Sequence, residues 1–194
     1  MDFWKRHKPD EERFSMNMTK DLQGDWYESV YLKVEEGKVI ETGREIWGKR
    51  ESVFLVGLPW IWSGLPQITA KASLVYPIGD CQIKVEVKLT IHLSDAEFNF
   101  QEIYDQIFKG GNKRIIHLAQ WVAELYSQAA EQNEAVQQAF KNYYKSEQPA
   151  HFVNELAWAL KSLPFPGKPL SNITKIEAEV EFNTVAAQLK ATYQ

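Results

Sequence analysis

The chain has 194 residues, 44% of them apolar, and a formal charge of −4 at pH 7, which suits a folded domain with a full core and excludes wholesale disorder. The acidic balance argues against a nucleic-acid binder, because neutralising phosphates needs surplus Lys and Arg on one face. The single cysteine, Cys81, cannot close an internal disulfide or build a Cys-based zinc site, which fits a reducing compartment.

Residues 1–22 are charged, rich in Met and Lys and without periodicity, which predicts an arm or a short helix outside the core. From 26 to 34, Trp26, Glu28, Val30, Leu32 and Val34 share one mostly apolar face. Glu35-Glu36-Gly37-Lys38 then supplies a turn and 39–47 returns as the second arm of a hairpin. Gly48-Lys49-Arg50-Glu51 makes the next turn and 52–56 is a short apolar run. Leu58-Pro59-Trp60-Ile61-Trp62-Ser63-Gly64-Leu65-Pro66 is broken by proline at both ends and reads as a loop with hydrophobic contents. Segments 68–76 and 81–93 are two further strands joined by Pro77-Ile78-Gly79-Asp80. From Ile83 to Leu93 apolar and polar residues alternate without a fault, as they do when one face meets a core and the other water.

Ser94-Asp95-Ala96-Glu97 offers a helix N-cap, and Phe100, Ile103, Tyr104 and Ile107 are spaced for a short helix ending at Gly110-Gly111, with Asn112 able to cap the next helix. Over 113–145, Ile115, Leu118, Val122, Leu125, Ala129, Val136, Phe140 and Tyr143 recur at helical spacing. The polar step Gln132-Asn133-Glu134 admits either one continuous helix or two that meet there. After Gln148-Pro149 another helix carries Phe152, Leu156, Trp158, Ala159 and Leu160 on its inner side and stops at Leu163-Pro164-Phe165-Pro166-Gly167. Thr174, Ile176, Ala178, Val180 and Phe182 then alternate with Lys175, Glu177, Glu179 and Glu181 as a one-faced strand, and 184–194 read as helix. The pattern predicts an α+β fold: an antiparallel sheet of five to six strands, covered on one face by two or three helices, with a C-terminal strand returning to the sheet. Residues 23–194 then form a single domain behind the 1–22 arm.

No catalytic or cofactor motif stands out. His7, His92, His117 and His151 lie in different elements and none has the i, i+4 partner of a helical metal pair. Glu177, Glu179 and Glu181 read as a water-facing row rather than an acid pair, and Cys81 has no basic residue beside it to form a thiolate. Gly110-Gly111 suits a helix C-cap better than a phosphate loop. The expectation is a protein that is not an enzyme and takes no metal or cofactor. No stretch approaches the roughly 20 apolar residues of a membrane span, and the first residues lack the apolar run of a signal peptide. A cytoplasmic chain is expected, with a peripheral position on a membrane surface as the alternative.

The interface candidates are aromatic. Trp60, Ile61 and Trp62 share the proline-bounded loop, and Phe3 and Trp4 precede Lys5 and Arg6. The first expectation for Trp60 and Trp62 is that the loop folds back as a satellite of the core, and such residues otherwise suit subunit contacts and membrane surfaces. Gly24-Asp25-Trp26-Tyr27 resembles the Gly-x-Trp signature of lipocalins, but the succession of eight strands is missing.

A broader resemblance follows the chain order. Ile46-Trp47-Gly48-Lys49, Gly57-Leu58-Pro59, Gly64-Leu65-Pro66, and Gly79-Asp80-Cys81 followed by the 83–93 strand stand in the order and near the spacing of the SPFH domain of stomatin, prohibitin and flotillin. The helical block and the closing strand at 173–182 also fall where that domain has them, so the resemblance covers about residues 27–183. It implies an oligomerising scaffold at a membrane surface, without catalysis. The preceding membrane segment and the following charged coiled coil of that family are not seen in this chain. The leading expectation is therefore a non-catalytic scaffold or interaction module whose partner is a second copy, another protein or a membrane surface. The alternative is a binder of a small apolar ligand held between sheet and long helix.

Overall fold

The computed structural model describes residues 12–21, 27–47, 52–56, 67–94, 98–108, 116–163 and 170–189. In chain order the strands are β1 (Glu12–Asp21), β2 (Tyr27–Glu35), β3 (Lys38–Trp47), β4 (Ser52–Val56), β5 (Gln67–Ile78), β6 (Cys81–Leu93), β7 (Ile116–His117) and β8 (Ile173–Leu189). The helices are α1 (Phe100–Ile103), which runs on into a π-helical turn at Tyr104–Phe108, then α2 (Leu118–Glu131), α3 (Glu134–Ser146) and α4 (Pro149–Lys161). The fold is α+β as expected, but its strands form two sheets rather than one of five to six strands. The chain divides into two compact units: Met1–Gly64 with Ser94–Leu118 and Pro169–Asn172, and Leu65–Leu93 with Ala119–Lys168 and Ile173–Gln194.

In the first unit the strand order is β4-β3-β2-β1-β7. The β2–β3 hairpin closes through Glu36 and Gly37, with φ of 48° and 75°; two successive left-handed residues make the kind of turn whose twist matches that of paired strands. Strand β1 corrects the expectation of an arm without a core. It pairs antiparallel with β2, Phe14 opposite Leu32 and Met16 opposite Val30, and all four side chains are buried. Phe14, Met16 and Met18 do alternate with polar Ser15, Asn17 and Thr19 in the sequence, a short period-2 signal that the charged surroundings of this segment obscure. The Phe14 ring lies 5.0 Å from Phe108 and 5.5 Å from Tyr104, so α1 and the π turn pack on this face. Gln101 fastens α1 to the hairpin tip: its Oε1 accepts the Val39 N–H at 2.8 Å and its Nε2 donates to the Gly37 carbonyl at 3.0 Å. Asn99, rather than the expected Ser94 segment, caps α1 by accepting the Glu102 N–H at 3.1 Å.

In the second unit β6 lies between β5 and β8, all antiparallel. The β5–β6 turn is tight, with Ile78 opposite Cys81 and Gly79 at φ 56°, a conformation that glycine adopts without a Cβ penalty. The inward row Ile83, Val85, Val87 and Leu89 forms a core with Ala123, Tyr126 and Ala130 of α2, Val136, Ala139 and Phe140 of α3, and Phe152, Leu156 and Leu160 of α4. Three helices thus cover one face of a three-stranded sheet. The polar step after α2 separates two helices: the Asn133 side chain accepts the N–H groups of Ala135 and Val136 at 3.0 and 3.2 Å, starting α3 afresh.

The expectation of helix over 184–194, of which residues 190–194 lie outside the described residues, is corrected over 184–189, since β8 continues through Leu189. A bulge permits this. Val85 faces Val185 and Val87 faces Val180, so residues 181–184 stand against the single residue Glu86, and pairing resumes beyond them. Non-local pairing with β6 overrides the local preference of the Ala-rich stretch Val185-Ala186-Ala187.

Candidate interaction surface

The interface residues singled out from the sequence, Trp60, Ile61, Trp62, Phe3 and Trp4, all lie outside the described residues. The second unit presents a different aromatic. Trp158 of α4 is 70% exposed, which corrects its placement on the inner side of that helix. Helical phase explains the correction: at about 100° per residue Leu156, Ala159 and Leu160 fall within roughly 80° of Phe152, whereas Trp158 falls about 120° away. Counting angles around the helix would have found it, while reading the apolar residues as one block hid it. Lys161 sits over its ring, with Nζ 5.9 Å from the centroid, within the range of a cation–π contact.

Beneath this surface the α3–α4 seam is polar. Asn142 Nδ2 donates to Glu155 Oε1 at 2.7 Å, and Gln138 Nε2 donates to Asn142 Oδ1 at 2.9 Å. The exposed His151 ring approaches the other carboxylate oxygen of Glu155 at 3.7 Å, too far for a good hydrogen bond. Further inward the interface is filled with rings: Phe140 is 5.3 Å from Tyr76 and 5.1 Å from Phe152, and Tyr143 is 4.7 Å from Phe152. These contacts pack the rings of β5, α3 and α4 against one another at ordinary aromatic spacing.

The opposite face of the sheet is wet and charged. Register places Gln67, His92 and Lys175 in one row across β5, β6 and β8, Thr69, Thr90 and Glu177 in the next, and Lys71, Lys88 and Glu179 in the third. His92 Nε2 lies 2.8 Å from Glu177 Oε2, and Lys175 bonds the other oxygen. The hydrogen bond from Lys175, and then that from His92, holds the Glu177 carboxyl below the usual carboxylate range. Such an exposed cluster ties two strands together but offers a reacting group no enclosed, water-free position. Burial pushes the Tyr126 hydroxyl up to about 12, so it stays neutral within the core. Cys81 is half-buried beside the turn, and His117 and His151 are exposed. Among the described residues no three His, Cys, Asp or Glu side chains come together in a way that could hold a metal ion, and no helix is long and apolar enough to cross a membrane.

Comparison of the chain with protein-family models, with curated proteins and with solved structures found no match. The resemblance to SPFH domains therefore rests on its short turn and loop motifs and their order along the chain.

Proposed function

We propose that this protein is a non-catalytic interaction module that associates with copies of itself or with a protein partner, and that Trp158 is one anchor of the contact. The observation carrying this reading is the exposure of a tryptophan, 70% open to solvent, on a helix whose inner side is already filled by Phe152, Leu156 and Leu160. Tryptophan on a surface is costly to leave in water and is enriched among residues that dominate binding energy. Its flat ring beside Lys161 suits a contact that is apolar at the centre and polar at the rim. A scaffold of the kind implied by the SPFH resemblance would use such contacts to build oligomers or to sit at a membrane surface. The aromatic filling of the sheet–helix interface weighs against a small apolar ligand held there.

Sedimentation velocity over a concentration series, with flotation on anionic vesicles in parallel, tests the reading. Concentration-dependent association or vesicle binding is expected, and Trp158→Ser should weaken it by at least about tenfold, the effect of losing roughly 1.4 kcal/mol at a central anchor. A protein that stays monomeric at every concentration and ignores vesicles overturns Trp158 as the anchor of self-association or membrane contact, and association unchanged by Trp158→Ser removes this residue from the contact.

A further inference from the structure

The two outer strands of the three-stranded sheet are finished differently. On β5, the Val75 N–H is taken by the Glu131 side chain at 3.0 Å, and two residues on, where the strand alternation again points outward, Pro77 has no N–H at all. A side-chain acceptor and a proline are devices that stop another strand from pairing. The inward residues of β5 near this edge, Ala72 and Leu74, are buried.

Strand β8 is the longer outer strand, at 17 residues, and it lies at the other end of the strand order. Its inward residues Ile176, Ala178 and Val180 are only half-buried, whereas Val85, Val87, Leu89 and Ile91 of β6 on the same face are fully buried. These three side chains pack against the core without being closed over as the β6 row is, and Phe182, in the bulge, is 59% exposed. Outward, the same stretch carries Lys175 and then Glu177, Glu179 and Glu181, all exposed.

We propose that the outer edge of β8, over residues 174–181, accepts an extended segment of another protein whose residues alternate between apolar and basic, adding a fourth strand to the sheet. Main-chain hydrogen bonds would hold the segment, its apolar residues would cover Ile176, Ala178 and Val180, and its basic residues would lie beside Glu177 and Glu179. Charge favours a basic segment over a second copy: paired antiparallel about Ile176, two β8 strands match Lys175 with Glu177 but leave Glu179 and Glu181 unmatched, and paired about Ala178 they set Glu177 of each against Glu179 of the other, where directly opposed like charges destabilise the pair. The proposal belongs to the interaction-module reading but uses a different surface from Trp158, so the two fail separately.

The test is fluorescence anisotropy of a labelled Lys-Val-Lys-Val-Lys-Val peptide titrated with the full chain at low and high salt. Saturable binding is expected that weakens as salt rises, that is absent for Glu-Val-Glu-Val-Glu-Val, and that is lost when the backbone nitrogens of the basic peptide are methylated, since methylation keeps the charges but prevents strand pairing. The double variant Glu177→Lys with Glu179→Lys, both at exposed positions, should bind about tenfold or more weakly, and Trp158→Ser should bind the peptide as the wild type does. Absence of saturable binding overturns the proposal, as does equal binding of the acidic peptide, of the methylated peptide or by the double variant. If the peptide binds while the chain remains monomeric and ignores vesicles, the edge proposal stands and only the Trp158 reading is lost.

Discussion

Strands β2 and β6 each lie between two neighbours, yet they are buried in different ways. Along β6 exposure alternates: Ile83, Val85, Val87, Leu89 and Ile91 are buried, while Glu86 and Lys88 between them are exposed. Along β2 four consecutive residues, Ser29, Val30, Tyr31 and Leu32, are buried, so both faces of that strand are covered. A sequence shows alternation when one face is wet, and a strand covered on both faces loses that signature. The polar residues Ser29 and Tyr31 make β2 look half-solvated in the sequence, although neither is open to water.

The largest effect that sharpens this contrast is expected in the helical cover of β6. Phe140→Ala removes a ring that touches both Tyr76 and Phe152 and leaves a cavity, so the variant should lose about 3–5 kcal/mol in urea unfolding. Hydrogen exchange should quicken in β5, β6 and β8 before β2 and β3 respond. Uniform loss of protection across all these strands would mean that the two units do not differ in local stability.

The second face of β2 is tested at Gly43. Tyr31 and Gly43 are opposed across the hairpin, and a Cβ built on Gly43 would come within 2.1 Å of Tyr31 Cε1 and Cζ, so the ring must move when a methyl group is added. Gly43→Ala should cost about 1–3 kcal/mol as overpacking does, and Tyr31→Ala in the same chain should recover part of that loss. A Gly43→Ala variant of undiminished stability would show that this face of β2 is not tightly covered.

The smallest effect belongs on the wet face of β6. His92→Asn breaks the 2.8 Å contact with Glu177, but both groups are open to solvent and Lys175 still bonds the carboxylate. The urea midpoint should stay at the wild-type value within the error of the measurement. A loss comparable to that of Gly43→Ala would mean that the outer face of this sheet is covered too, and the contrast between the strands would collapse.

These differences set how much of the fold is legible in the sequence. The hairpin turn at Glu36-Gly37, the alternation of β6, the proline start of α4 and the one-faced first part of β8, up to Glu181, all obey rules that act over a few residues, and each stands where the sequence places it. Strand β1 is not legible, because Phe14 and Met16 become core residues only when β2 and the π turn close over them. The candidate surface is legible in part. The acidic row of Glu177, Glu179 and Glu181 reads as facing water, and it does; Trp158 reads as core because it sits among core residues in sequence, though not around the helix.

By itself the sequence determined the kind and order of most elements between β2 and the first part of β8 and most of their inward faces, because side-chain period and turn chemistry depend on neighbours along the chain. Only the tertiary structure decided that the strands divide between two sheets, that β8 runs on past a bulge to Leu189, that β2 is buried on both sides, and that one outer strand is guarded by Glu131 and Pro77 while the other, β8, has no strand beyond it among the described residues. Each of these depends on which distant segment supplies the next hydrogen bond or the next covering side chain, and local pattern does not encode that choice.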